Sequence, residues 1–481
     1  MAVSNKKVFT NLVWRYAERF LAVLITFIVS LVLARLLTPD EYGTVALLGV
    51  IIGILEVFCT RGYNQALVQK KHIERVDYNT AFWTNLIIEA LLYLAVYFFA
   101  PIISFYYGSE ELIPLLRVLA IRLLIAGFHA IQQAYAQRNM LFKKFFFSTL
   151  FGTLLSGAVG VGMAYMGFGA WALVAQSLVN PLVDTIVLLF TIEWRPKVEF
   201  SFLSFKDMTP FGIRTFLMGL LDATYVNLRS LIIGKRYSTS DLGFHDKGQS
   251  IPSLVINNTQ TAASNVFFSA LSRENTTFDV KEKMRTYSRM MMYVLCPVMI
   301  GIACVSRETI LLLFTSKWEP AFPYVIIYCF DYLTWVPIMP INLALMAIRR
   351  ERVVLVISII QRASGTLILL AALNHGPLAI AISALIIDYI ILIIAYGAAN
   401  RVLKYSLSEI INDLWKTILS TAVIAVVIGT ENMFLSVNII ASLVIKAVSG
   451  VIVYICMSII LKDQAFKQMF ELVKTRIIKS H

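Results

Sequence analysis

Long apolar runs, broken at short intervals by polar clusters, dominate the sequence. A helix needs about 20 apolar residues, rising 1.5 Å each, to cross roughly 30 Å of hydrocarbon. By that measure the runs predict fourteen membrane-spanning helices, over 15–36, 43–61, 81–106, 112–136, 146–166, 169–191, 211–234, 244–268, 288–314, 321–347, 353–373, 377–399, 416–430 and 436–461. The thirteenth run is the shortest. The first apolar run, 20–33, has no small-residue cleavage site and is followed at once by another, so it reads as a span, not a signal peptide. The expected fold class is therefore an all-α polytopic membrane protein of about fourteen transmembrane helices.

The connections alternate in character. One set is short and poor in Lys and Arg: 37–42, 107–111, 167–168, 235–243, 315–320, 374–376 and 431–435. The other carries the basic clusters Lys70/Lys71/Arg75, Arg138/Lys143/Lys144, Arg195/Lys197/Lys206, Arg273 to Arg289, Arg349/Arg350/Arg352 and Arg401/Lys404, together with Lys6, Lys7 and the tail from Lys462 to Lys479. The positive-inside rule places this second set, and so both termini, in the cytoplasm, as an even number of spans requires.

Composition agrees. Of 481 residues 58% are hydrophobic and 15% charged, which excludes a soluble enzyme, a DNA-binding protein and a disordered scaffold. The 42 Lys and Arg exceed the 29 Asp and Glu to give +13. That excess is scattered between apolar runs, not gathered on one face, so no nucleic-acid partner is expected. The five cysteines (Cys59, Cys296, Cys304, Cys329, Cys456) include no CxxC pair and read as buried thiols, with neither a disulfide framework nor a metal site.

An internal repeat organises the spans. Leu31 to Gly43 lies over Leu231 to Gly243 at an offset of 200 residues, with Leu and Gly identical at the two ends and Arg35/Lys235, Thr38/Ser238 and Glu41/Asp241 conservative. Both copies end an odd-numbered span and turn into the next, so the repeat is parallel, about an axis along the membrane normal. This predicts two six-helix lobes around a central cavity, an N-lobe over 1–200 and a C-lobe over 201–405, with two further helices and a basic tail over 406–481. Such twin lobes are an alternating-access architecture, and no channel-type selectivity element is visible.

Four motifs carry a family resemblance. They are Ala34-Arg-Leu-Leu-Thr-Pro-Asp-Glu-Tyr-Gly43, Asp77-Tyr-Asn-Thr-Ala-Phe-Trp-Thr-Asn85, Gln137-Arg-Asn-Met-Leu-Phe142 and Gly167-Phe-Gly-Ala-Trp-Ala-Leu173. In this order and spacing the chain resembles the polysaccharide transporters of the multidrug/oligosaccharidyl-lipid/polysaccharide exporter superfamily, and most of all the Wzx-type flippases. The resemblance implies a flippase, not an enzyme. Its partners would be the bilayer, an undecaprenyl-pyrophosphate-linked oligosaccharide, and polysaccharide assembly proteins. It implies no cofactor beyond a coupling H+ or Na+. The motifs themselves read as turns: Pro39, Gly43, Gly167 and Gly169 suit tight connections, and Trp171 an interfacial anchor. A multidrug exporter of the same superfamily, or a polytopic glycan polymerase or ligase, are the alternatives. The loops opposite the basic side are too short to hold a polymerase's catalytic groups.

Ionisable residues inside the spans point to function. Arg122, Asp222, Arg362 and Asp388 lie near the centres of theirs. Arg122 and Arg362, with Arg15 and Arg19 at the cytoplasmic mouth, are the candidate substrate-binding residues, because guanidinium forks match phosphate. The alternative is that each arginine simply pairs with an intramembrane carboxylate. Asp222 and Asp388 are the candidate cation-coupling residues. No catalytic or metal-ligating residue is expected.

Overall fold

The computed structural model describes residues 5–469 and 471, apart from 71, 272, 273, 275, 435 and 436; the side chains of 5–20, 261–263, 265–266 and 268–269 fall outside the description. Among the described residues all regular structure is helical. In chain order the helices are α1 (Asn5–Leu36), α2 (Pro39–Arg61), α3 (Tyr63–Gln69), α4 (Arg75–Tyr107), α5 (Leu112–Leu119), α6 (Ile121–Arg138), α7 (Phe142–Tyr165), α8 (Ala170–Thr191) and α9 (Phe202–Arg236). They continue with α10 (Thr239–Leu271), α11 (Thr277–Cys304), α12 (Ser306–Phe314), α13 (Phe322–Ala347), α14 (Glu351–Ala372), α15 (Pro377–Leu403), α16 (Leu407–Phe434) and α17 (Ile439–Ile460).

Every predicted span falls on helix. Among the described residues twelve helical stretches are long and apolar enough to cross a membrane, and α1 adds the shorter apolar stretch Leu21–Leu36. The eighth predicted span, α10, is helical but too polar to join the twelve. Two predicted spans are broken, the fourth at Ala120 between α5 and α6 and the ninth at Val305 between α11 and α12. The thirteenth, shortest as a run, belongs to a 28-residue helix.

The largest departure from the sequence reading is helix length at the basic side. α4, α9, α11 and α16 begin at Arg75, Phe202, Thr277 and Leu407, six to eleven residues before the apolar runs they contain. Hydropathy detects only the part of a helix that meets hydrocarbon; backbone hydrogen bonding continues into the polar layer, where charged side chains are tolerated. Much of the supposed basic loop 273–289 is thus the first turns of α11, capped by Thr276, whose hydroxyl accepts from the Asp279 N–H.

The chain divides into two compact units, Met1–Gly243 and Phe244–His481. In the first, α7 packs on α1 and α8, α4 on α6, and α9 on α2. Its basic end is closed by an aromatic cluster of Tyr63, Tyr78, Phe82 and Trp194 with Met208. The second family motif holds this end together. Asn79 Nδ2 donates to Glu199 Oε2 (2.9 Å), Trp83 Nε1 to the Lys197 carbonyl (2.8 Å), and the Ser201 N–H to Thr80 Oγ1 (3.0 Å). Lys70 bridges Asp77 and Asp207, each at 3.0 Å. Burial disfavours its charge, but the Asp207 and Asp77 carboxylates outweigh that and raise its pKa above the ordinary lysine value. From the third motif, Arg138 donates to the Leu67 and Val68 carbonyls near the end of α3. In the second unit α13 lies between α11 and α15, and α16 packs on α11 and α17.

The repeat is visible as a pair of matching turns. Thr38 and Glu41 form a capping box at the start of α2, with Pro39 at its first position. Ser238 and Asp241 reproduce the box at α10: Ser238 Oγ donates to Asp241 Oδ2 (2.7 Å) and the Asp241 N–H donates to Ser238 Oγ (3.0 Å). The turns also dock on each other reciprocally. A Cβ on Gly43 would lie 1.6 Å from the Thr239 carbonyl oxygen, and one on Gly243 would lie 2.2 Å from that of Pro39. Thr239 and Ser240 both donate hydroxyls to Asp40. The fourth motif joins here, since a Cβ on Gly169 would meet Glu41 Oε1.

Candidate functional site

Within the first unit lies a polar cavity of about 450 Å³, walled by α1, α2, α3, α6, α7 and α8. The lining repeats at helical spacing. On α6 it is Arg122, Ala126, His129 and Gln133; on α8 it is Gln176, Asn180 and Asp184. Each set is a polar stripe on an otherwise apolar helix, aimed inward as intramembrane polar groups must be. The break at Ala120 starts α6 at Ile121, one residue before Arg122.

Two charged constellations face the cavity. Arg122 Nε contacts Glu56 Oε1 at 2.7 Å. Opposite them Ser148 Oγ donates to Asp184 Oδ1 (2.7 Å), the second Asp184 oxygen lies 3.8 Å from His129 Nε2, and His129 meets Gln133 at 2.5 Å. Carboxamides and hydroxyls from Asn64, Thr60, Ser156 and Ser177 complete the wall. The cavity can thus offer hydrogen bonds of both senses and one guanidinium to a polar guest while the surrounding helices stay apolar outward.

The sequence-derived candidates are dispersed. Arg122 lines the cavity, and it does have the carboxylate partner considered for it. Arg15 and Arg19 lie on α1, but their side chains are outside the described residues. Asp222 is half-buried on α9 of the first unit. Arg362 and Asp388 belong to the second unit. There Asp388 is buried and accepts from Trp335 Nε1 (2.7 Å) and Gln361 Nε2 (2.8 Å), while Arg362 is half-buried beside Gln361 on α14. Glu56, Asp184 and His129 are not among the candidates that the sequence singles out. The i, i+4, i+7, i+11 series from Arg122 to Gln133 was the signal that would have found them.

An all-helical, multi-pass chain with a polar cavity inside apolar helices is, in class, a membrane transporter. The family follows from comparison. The model of the polysaccharide biosynthesis protein family matches residues 32–323, so the chain belongs to that family. It is 26% identical over 327 residues to the succinoglycan biosynthesis transport protein ExoT of Rhizobium meliloti, covering 67% of this chain and 65% of that one. It is 23% identical to the teichuronic acid biosynthesis protein TuaB of Bacillus subtilis over 88% of both chains. The lipopolysaccharide biosynthesis protein WzxC of Escherichia coli is 22% identical, over 62% of this chain and 61% of that one. Among solved structures, an inward closed conformation of the lipid II flippase MurJ superposes with a TM-score of 0.77 at 16% identity, over 94% of this chain and 99% of that one. An inward-facing MATE multidrug transporter follows at 0.60 and 14%, over 82% and 98%. The protein is thus a multi-pass member of the polysaccharide biosynthesis protein family, with the helical fold that the lipid II flippase MurJ and the MATE transporter share.

Proposed function

We propose that this transporter moves undecaprenyl-pyrophosphate-linked oligosaccharide units across the bacterial cytoplasmic membrane by alternating access, supplying surface polysaccharide such as O-antigen, capsule or exopolysaccharide. The observation that carries the reading is the polar cavity set among apolar spans. A glycan or pyrophosphate exposed to hydrocarbon loses several kcal/mol for each unpaired polar group. Side chains such as Gln133, Gln176, Asn180 and Arg122 supply replacement partners, and the lipid tail has no need to leave the bilayer. No chemical step is involved. Arg122, with Arg15, Arg19 and Arg362, is assigned to the anionic part of the substrate, and Asp222 and Asp388 to a coupling cation. The lobes 1–200 and 201–405 are the proposed moving parts, 406–481 their appendix, and both termini are assigned to the cytoplasm. Polysaccharide assembly proteins are its proposed partners in the membrane.

Deleting the gene is expected to remove the surface glycan and leave its lipid-linked unit on the cytoplasmic leaflet. Normal glycan in a deletion strain that has no second flippase overturns the reading. At the residue level, a charge-assisted hydrogen bond is worth about 1.5–3 kcal/mol, so Arg122→Ala is expected to slow export by roughly 10- to 100-fold. Arg122→Lys, which keeps the charge and loses the fork, falls between. The check is surface glycan measured per unit of membrane-inserted protein; wild-type export by Arg122→Ala removes this residue from the substrate path.

A further inference from the structure

Behind the cavity wall sits an acidic group that the transport reading does not use. Glu89, in the middle of α4, is 0% exposed, and its oxygens meet no N–H or O–H donor, only the weak thiol donor of Cys59. One turn earlier Asn85, also 0% exposed, has both amide atoms unmet, and on α6 the buried Gln132 has an unmet carbonyl oxygen. α6 passes close because residue 127 is glycine: a Cβ there would lie 3.5 Å from Glu89 Cβ and 3.4 Å from Leu86 Cα. Two titratable groups act on Glu89 among the described residues, Cys59 and Glu56, both from α2. α6, the helix packed most extensively on α4, carries the charged or titratable Arg122 and His129 on its cavity-lining side. Cys59 and Glu56 also line the cavity, and Glu89 does not, so the thiol stands between Glu89 and the polar space.

We propose that Glu89 is a proton-carrying site, loaded from the cavity past Cys59. An ionised carboxylate sealed from water with no counterion is strongly disfavoured, whereas the neutral acid is tolerated in the same place. The step is a proton transfer: a hydronium ion in the cavity water breaks one O–H bond and is left as neutral water, an O–H bond forms on a Glu89 oxygen, and the reverse transfer empties the site. A metal cation fits less well, since hard cations take six or more oxygen ligands, and here the neighbours include a thiol and the Gly127 and Leu86 backbone. The Glu56–Arg122 pair gives the site its link to transport, a link that rests on the proposed function. While Arg122 neutralises Glu56, the nearby carboxylate repels a second charge weakly. Drawing Arg122 toward an anionic guest uncovers the Glu56 charge beside Glu89, and this couples the two sites.

The test is infrared spectroscopy of the full-length purified protein, in which protonated and ionised carboxyls absorb separately. A protonated-acid component is expected near neutral pH that shifts in D2O, disappears reversibly on alkalinisation, is lost in Glu89→Gln and persists in Glu56→Gln. If Glu89→Gln does not accumulate, Glu89→Asp is expected to move the component instead. Loss of an ionised component in Glu89→Gln, an acid component indifferent to pH, or an ionised component that appears only with Na+ would each overturn the assignment. The spectra need no substrate, so they stand whether or not the flippase reading does.

Discussion

Gly43→Ala is expected to cut glycan export at least tenfold while the protein still reaches the membrane. The added Cβ meets backbone on three sides, 1.6 Å from the Thr239 oxygen, 2.6 Å from its carbon and 2.9 Å from the Gly243 nitrogen. No side chain can swing away to make room, so the two turns must separate. Alanine is otherwise the better helix residue, by about 1 kcal/mol over glycine. Gly53→Ala on the same helix, with nothing within 4 Å of its Cβ, is therefore the matched control and should export normally. Overpacking in a close helix contact costs about 1–3 kcal/mol, and 1.36 kcal/mol already shifts a conformational population tenfold. Gly243→Ala should act alike through the Pro39 oxygen. Thiols introduced as Asp40→Cys with Thr239→Cys report on the docking: a short bifunctional reagent is expected to join them in an otherwise wild-type chain and to fail when Gly43→Ala is added. Wild-type export by Gly43→Ala would mean that the docked turns are incidental to transport.

The same turns show what could be read in the sequence. The bilayer demands apolar helices of fixed minimum length, so all fourteen spans are readable as runs in the sequence. The run over 244–268, in α10, is polar enough to fall below the apolar threshold, and the repeat of Thr38 to Gly43 at Ser238 to Gly243 supports it as a span. The reciprocal docking of the copies was hidden, because it depends on Gly43 and Gly243 being small where two backbones cross, which no hydropathy pattern reports. The site was legible in part. Arg122 stands out as a charge near the centre of a span. Its partner Glu56 is on another helix, and the grouping of His129, Asp184 and Ser148 from α6, α8 and α7 is tertiary. Nothing in the sequence sets Glu89 apart, because its burial without an N–H or O–H donor is a property of the packed structure. The helix extensions were missed for the opposite reason: Lys281, Arg285, Glu409 and Asp413 look like loop residues to any scale that scores apolarity.

Those extensions carry the second large effect, a loss of stability in Asp413→Ala. The Asp413 side chain is 4% exposed and accepts from Arg285 Nε (2.8 Å) and Nη2 (3.0 Å) in a fork, with Tyr405 Oη donating at 2.9 Å; the Arg289 guanidinium lies 3.6 Å away as an ion pair. Burial and the Asp413 carboxylate together raise the Tyr405 pKa, so its hydroxyl stays a donor. Lys281 ties the same place together from α11, donating to Glu409 Oε1 and to the Lys404 carbonyl, each at 2.8 Å. Removing Asp413 strands the Arg285 guanidinium in a mostly buried position, and breaking a buried pair from one side costs about 3–5 kcal/mol. Glu282 and Glu409 still reach Arg285 (2.8 and 3.2 Å), which holds the expected loss to about 3 kcal/mol. Removing both charges should hurt less than removing one, so Asp413→Ala with Arg285→Met is expected to recover part of the loss. The exposed pair Arg307–Glu319, with side chains 62% and 36% exposed, is the contrast: Glu319→Ala should cost less than about 1 kcal/mol. Thermal unfolding of the purified variants measures all three. An Asp413→Ala protein that unfolds at the wild-type temperature would show that α11 and α16 are held together by their apolar faces alone.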